Sequence, residues 1–312
     1  MNKSFISKIT WIAIIGILLV SLIPNLYSSY WLIDIFSNFK VQYLFISILL
    51  LITAILVLKK KVLALFLIAI SILWNGYYIA PYYLNSNVVE SKNDSNFKIS
   101  SINLLSSNSE TESVKNYIKT ENPDILVLLE FTPRWESELL SVIEKYPYKK
   151  LVPRTDNFGI ALLSKFEMKS SIDYFGLNIK PSIIGELKIE NDSYSVIATH
   201  PIPPINQKTF ENRNKQLSNI IDRRSSFSEN LIVIGDFNTS PFSNHFNSLL
   251  EGDLKDSRIG FGLLPTWPAN YKILQTTIDH CLVSKSLDVL DRSTGENIGS
   301  DHLPINIVIS AN

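Results

Sequence analysis

Three apolar runs in the first 85 residues are too long and too poor in charge for the strands or surface helices of a soluble protein. They lie at about residues 5–27, 41–58 and 62–80. Each approaches or reaches the ~20 residues that cross a hydrocarbon core of about 30 Å. A cleaved leader would need a short apolar stretch ending in small residues. Here Ser21, Leu22, Ile23 and Pro24 continue into an aromatic segment, and two more apolar runs follow. Residues 1–85 are therefore expected to form three transmembrane helices in a lipid bilayer.

The charges divide along the same line. The chain carries 29 basic and 29 acidic residues, a formal net charge of zero. Six lysines against Asp34 give residues 1–85 a net charge of +5, and the remainder carries −5. Lys3 and Lys8 flank the first run, and Lys59, Lys60 and Lys61 separate the second from the third. Positive charges favour the cytoplasmic side. Both lysine groups satisfy that rule only with a cytoplasmic N-terminus and everything after Tyr83 outside. Tyr27, Tyr30 and Trp31, with Trp74, Tyr77, Tyr78, Tyr82 and Tyr83, then fall at the outer interface, where Trp and Tyr accumulate. The expected location is a cell (inner or plasma) membrane, with an extracytoplasmic C-terminal domain. Spans without internal charges offer no ion path, which argues against a channel or transporter. Gln42 and Asn75, near span ends, read as interfacial. Cys281 is the single cysteine, which excludes a disulfide scaffold.

Residues 86–96 are polar and read as a linker to a domain at 97–312. Apolar runs at 97–104, 124–129, 159–164, 183–189, 194–199, 231–235, 277–283 and 305–309 read as strands. Most are continuously apolar, as in strands covered on both faces. Helical patterns lie between them. Ser109 to Glu112 has capping-box spacing and opens a helix at 110–119. Pro133 suits the first turn of a helix over 134–146. Residues 210–224 are amphipathic, and Ser240 with Pro241 caps a helix to about residue 250. The class is α/β.

Functional residues of α/β folds gather at the C-terminal ends of strands. Those positions here hold Asn103, Glu130 after an apolar strand, His200 in Thr199-His200-Pro201, and Gly235-Asp236-Phe237-Asn238. Further on they hold Asp279 in Ile278-Asp279-His280, and finally Ser300-Asp301-His302. In that order the set resembles the endonuclease/exonuclease/phosphatase superfamily, across about residues 97–309. The three spans and the Thr199-His200-Pro201-Ile202-Pro203-Pro204 run look most like a bacterial membrane-anchored branch. The resemblance implies a four-layer α/β/β/α sandwich, dependence on Mg²⁺ or Mn²⁺, and hydrolysis of phosphodiesters or phosphomonoesters.

Phosphate-ester hydrolysis needs neutralised oxygens, an aligned water and a stabilised leaving group. Mg²⁺ takes carboxylate oxygens while keeping several waters. Glu130 is the leading metal ligand. Asn103 reaches the same site as a neutral amide, for the phosphate or a metal-bound water. The resemblance places Asp301 near the metal, makes Asp236 the group that orients the attacking water, and gives Asn238 and His200 the phosphate. His302 is read as a general base or a cationic phosphate clamp, since an imidazole near pH 6.5 allows both. Asp279 would orient it. His245, in a helix, and His280, facing away from Asp279, read as structural. Asn108 is a candidate for lining the pocket. Trp267, in a proline-flanked loop, suits either stacking on substrate or packing. Arg154 and Arg213 are read as phosphate contacts or surface ion pairs.

The resemblance makes a nuclease-like phosphodiesterase the first reading, with a phospholipid headgroup or a small phosphate ester as the runner-up substrate. A domain at −5 with no basic cluster beyond pairs lacks the electrostatic footprint of a tight duplex binder. A reading of another class is a non-catalytic membrane-anchored binding protein, against which the completeness of the polar set weighs. No feature specifies a protein partner.

Overall fold

The computed structural model describes residues 3–84, 96–177 and 180–311. The linker expected at 86–96 lies outside the described residues, apart from Asn96. Helices α1 (Lys3–Leu26), α2 (Trp31–Ile35), α3 (Lys40–Val57), α4 (Val62–Ile79) and α5 (Pro81–Leu84) come first. A 3₁₀ turn at Phe36–Phe39 joins α2 to α3. The second candidate span is therefore longer than expected, running from Trp31 to Val57. Among the described residues, three helices are long and apolar enough to cross a membrane.

The bundle packs on Ile14, Ala54, Ala64 and Ile68. Above these apolar contacts lies a polar knot. The Ser21 and Ser47 hydroxyls each bond Ser71 Oγ, at 2.8 and 2.9 Å, and Asn75 Nδ2 donates to Ser21 Oγ at 2.8 Å. Asn75 is thus fully buried between helices rather than interfacial. In an apolar medium, where each helix hides its own backbone polarity, such side-chain bonds are what the helices recognise in one another. Lys40 is buried too, donating to Ser21 O and Asn25 Oδ1. Gln42 reaches out of the bundle, as described below.

The remaining elements form two six-stranded sheets. The first contains β1 (Asn96–Asn103), β2 (Ile125–Leu129), β3 (Tyr148–Val152), β4 (Ile160–Ser164), β11 (Val289–Thr294) and β12 (Ile305–Ser310). Its order is β11-β12-β1-β2-β4-β3. The second contains β5 (Met168–Asp173), β6 (Ser182–Ile189), β7 (Asp192–Ala198), β8 (Asn230–Asp236), β9 (Leu254–Asp256) and β10 (Asp279–Ser284). Its order is β5-β6-β7-β8-β10-β9. Each sheet has a parallel pair near its centre, β1 with β2 and β7 with β8.

The sheets face each other across a core that includes Phe97, Val127, Ile160, Val196, Ile234, Cys281 and Ile307. The outer face of the first sheet is covered by α6 (Thr111–Glu121), α7 (Pro133–Glu138) and α8 (Leu140–Ile143), through Val114, Trp135 and Val142. That of the second is covered by α9 (Gln207–Asp222) and α10 (Asn244–Ser248), through Leu217, Ile220 and Phe246. The result is a four-layer α/β/β/α sandwich, with central strands buried on both faces.

Helix starts differ from the sequence expectations. Glu110, not Ser109, precedes α6 and makes no side-chain cap. The Thr111 hydroxyl bonds Glu138 instead, while Asn108 Oδ1 accepts from the Glu110 N–H. The helix expected over 134–146 breaks at Leu139 into α7 and α8, although Pro133 does open it and Thr132 caps Trp135 N. The helix expected from residue 240 is only α10, capped by Ser243. Helix α9 begins earlier than expected, with a reciprocal Asn206–Thr209 cap.

Candidate active site

The strand ends bring most of the expected polar residues to one edge of the sandwich. Asp236 and Asp279 end β8 and begin β10, and they are register partners. His302 Nδ1 lies 2.8 Å from Asp279 Oδ2, and its Nε2 lies 3.7 Å from Asp236 Oδ2. His200 Nε2 approaches the same Asp236 oxygen at 3.5 Å, and Asn103 Nδ2 at 3.4 Å. Asp236 thus sits at the meeting point of both histidines and the amide from the other sheet. All these side chains are buried.

Local backbone geometry builds this cluster. Gly235 has φ +146°, and a Cβ there would lie 2.0 Å from Thr199 O. The glycine lets β8 press against the strand carrying Thr199 and His200 immediately before Asp236. Asn238 follows with φ +52°, its N–H bonding Asp236 Oδ1 at 2.9 Å and its Nδ2 donating to Pro201 O at 3.0 Å. Its amide nitrogen therefore ties the two loops together. Glu130 also has a left-handed φ, +54°, at the end of β2. Since Leu129 pairs with Asn103, Glu130 emerges at the same end of the sheet as that amide. Its Oε2 accepts from Ser106 N at 2.8 Å.

The charges follow from this packing. Burial opposes the His302 imidazolium, but Asp279 and Asp236, the bond to Asp279 and the nearby Asp301 raise its pKa to about 10. Burial likewise opposes the Asp236 carboxylate, yet His302 and His200 hold it below the usual carboxylate range. A buried anion between two imidazoles is stable only because they face it.

Among the described residues, one grouping of carboxylates and a histidine is close enough to share a cation. Asp236, Asp279 and His302 offer ligand atoms within 4.8 Å of one another. They already satisfy each other through a hydrogen bond and opposite charges, which leaves little for an ion. Asp301 differs. Its Oδ2 accepts from Trp267 Nε1 at 3.1 Å, but its Oδ1 is buried with no hydrogen-bond partner. Glu130 and Asn103 add hard oxygens of the kind Mg²⁺ prefers. The donor chemistry of Glu130, Asn103 and Asp301 fits a hard divalent cation better than that of the histidine cluster.

Other expected residues have different surroundings. Asn108 is committed to the scaffold, with Nδ2 donating to Ile298 O and Oδ1 accepting from Glu110 N. Gly299 leaves room for it, since a Cβ there would lie 2.5 Å from Asn108 Oδ1. Trp267 is 38% exposed beside His302, their ring centroids 6.5 Å apart, and so remains accessible to a substrate. Arg154 pairs with Asp156, partly exposed. Arg213 is neither on the surface nor aimed at a phosphate. It is buried, paired with Asp34 and bonded to Asn238 O. His280 accepts from Arg258 and bonds Thr239 O, and His245 bonds Ser28 O, so both are structural.

Three more residues matter to the site. Ser300 Oγ donates to Asn103 O and accepts from His302 N, locking the last loop to β1. Thr266 Oγ1 accepts from Asp279 N. Phe158 packs against the His200 ring at 5.2 Å. Serine in a Ser-Asp-His run was the sequence hint to the first of these.

A sequence profile described as the Endonuclease/Exonuclease/phosphatase family matches residues 100–302. Solved structures share the fold. D. rerio TDP2 complexed with single strand DNA product has a TM-score of 0.60 at 18% identity, covering 70% of this chain and 100% of that one. Truncated Caenorhabditis elegans TDP2 gives 0.59 at 18% identity, with 71% and 100% covered. The endonuclease/exonuclease/phosphatase from Bacteroides vulgatus gives 0.57 at 15%, with 70% and 100% covered. At such identities the likeness is one of fold. No significant match is found among curated proteins.

Proposed function

Since the chain belongs to the endonuclease/exonuclease/phosphatase family of metal-dependent phosphoester hydrolases, we propose that it is a membrane-anchored phosphodiesterase acting outside the cytoplasm. The observation that carries this reading is the position of Asp236, with Nε2 of His200 and of His302 on either side. A carboxylate so placed holds a water by its second oxygen while the two imidazoles face the phosphate that the water attacks.

In this reading His302, oriented by Asp279, binds the phosphate as a cation, and His200 and Asn238 contact it alongside. The water oxygen forms the new bond to phosphorus as the bond to the ester oxygen breaks; the water's proton leaves toward Asp236, and the departing oxygen takes a proton from solvent. Glu130, Asp301 and Asn103 would hold Mg²⁺ or Mn²⁺. Such an ion, when bound, neutralises phosphate oxygens and stabilises the leaving oxygen. Trp267 is suited to flank the substrate group.

Three helices of spanning length and the lysine distribution support the anchor and its orientation. The test is hydrolysis of bis(p-nitrophenyl) phosphate by the full chain in nanodiscs with Mg²⁺, with and without chelator. We expect metal-dependent release of nitrophenol that His302→Ala removes. Near-normal turnover by that variant would sink the assignment.

A further inference from the structure

Between the second candidate span and the catalytic domain lies an apolar cavity of about 800 Å³. One wall is the start of α3, where Val41 and Phe45, and Gln42 and Ile46, are pairs four residues apart on one helical face. Phe242, Leu263, Ile273 and Leu274 form much of the opposite side. Among the described residues, the only charge in the lining is Lys272.

Two features point to what enters it. First, its rim is apolar and exposed. Ile273 is 84% exposed, Leu274 54% and Phe45 62%. The loop bearing Ile273 is fastened to the span, with Gln42 Nε2 donating to Ile273 O and Gln275 O. On a helix that spans a bilayer, a contiguous apolar rim of this kind faces lipid. Second, the cavity shares a wall with the hydrolytic site. Thr276, in the lining, exchanges backbone bonds with Trp267 at 2.6 and 3.0 Å. Trp267 in turn bonds Asp301, and Asp279 lies three residues beyond Thr276.

We propose that this cavity takes an acyl chain of a bilayer lipid, and that the substrate is a phosphate ester carried by that lipid. The inference rests on the membrane-anchored hydrolase reading and gives it a substrate class. The chain lies along α3 and under the loop, Lys272 sits beside the polar headgroup region, and the ester reaches the site past Trp267. A nucleic acid finds neither a basic track nor any use for the apolar cavity.

The test uses the full chain in nanodiscs of phosphatidylethanolamine and phosphatidylglycerol with a diazirine on the acyl chain. Photolabelling is expected on Phe242 and Leu263, which are 3% and 6% exposed and face the cavity. In parallel, turnover of a long-chain phospholipid and of bis(p-nitrophenyl) phosphate is compared in wild type and Ile46→Trp. Filling the cavity mouth is expected to lower kcat/KM on the lipid about tenfold, as for losing burial of one or two methylenes, and to leave the soluble ester unchanged. Absence of label at both residues overturns the cavity site, as does an equal effect on both esters. Turnover of the soluble ester or of plasmid DNA with no label overturns this inference and leaves the hydrolase reading standing. Label at both residues with no ester hydrolysed overturns the hydrolase reading and the substrate assignment with it, and leaves only the acyl-chain site.

Discussion

Asp34 and Arg213 form a buried ion pair, Oδ2 to Nη2 at 3.2 Å, between the start of the second candidate span and helix α9. Arg213 Nη1 also donates to Asn238 O at 2.6 Å, and Ser243 Oγ to Asp34 Oδ1 at 2.5 Å. The N-terminal helical region therefore reaches the backbone of the catalytic loop through one guanidinium. Removing Asp34 leaves that charge buried and unpaired, a loss of about 3–5 kcal/mol. We expect Asp34→Ala to lower the apparent Tm and to reduce kcat, and a fragment beginning at residue 86 to be less active than the full chain. Equal kcat for fragment and full chain on bis(p-nitrophenyl) phosphate would show that the pair does not support the site.

Asp279→Asn is expected to lower kcat by about 10²–10⁴, the range of positioned acid–base groups, with a small change in KM. The amide keeps a bond to His302 but no longer holds its charge or its tautomer. Steady-state kinetics at fixed Mg²⁺ separate the two effects.

Glu130→Gln addresses the cation. If the divalent ion binds the folded chain through Glu130, Mg²⁺ at about 100 times its Kd stabilises the wild type by ~2.7 kcal/mol. The variant is expected to lose that rise in thermal unfolding temperature. An identical Mg²⁺-dependent shift in the variant would move the ion elsewhere.

His280 gives the molecule an acid liability. Burial, with Arg258 alongside, lowers its pKa from 6.5 to about 3. Its Nδ1 accepts from Arg258, so the folded protein needs the neutral ring. Between those values the unfolded chain binds a proton that the folded chain refuses, and stability falls as pH falls. The loss is about 1.4 kcal/mol per pH unit from this group. Unfolding measured from pH 7 to pH 4 should show a steeper decline in wild type than in His280→Gln.

Gly235→Ala should be severely damaging for a single methyl. It adds a Cβ 2.0 Å from Thr199 O at a φ of +146°, and a loss above about 4 kcal/mol is expected. Native-like thermal unfolding of this variant would mean the strands relax apart without cost.

The central strands were readable because both their faces are buried, so Ile125–Leu129 and Ile160–Ser164 are unbroken apolar runs. The four strands that the sequence did not reveal, β3, β5, β9 and β11, are the four sheet edges. An edge strand such as Met168–Asp173 alternates with solvent and carries lysine and serine, which read as loop. Asp236, Asp279, His200 and His302 were legible because strand ends are where an α/β fold places its chemistry. Arg213 was not, because its partner lies some 180 residues earlier in what looked like a separate membrane segment. The break at Leu139 and the short α10 were hidden because tertiary packing, not helix propensity, ends those helices.

The polar knot of Ser21, Ser47, Ser71 and Asn75 has a consequence beyond holding three helices together. It fixes their rotation, and with it the outward directions of Asn25, Trp31 and Gln42. These residues fasten the catalytic domain by bonds from Asn25 to Phe242 O, from Trp31 N to Gln207, and from Gln42 to Ile273 O. A domain gripped in this way cannot sample a hemisphere of solution as a tethered one would. With the helices in a bilayer, its catalytic edge stays at one height and sweeps a plane. Encounter is then governed by lateral diffusion and by the surface density of the target, not by its bulk concentration.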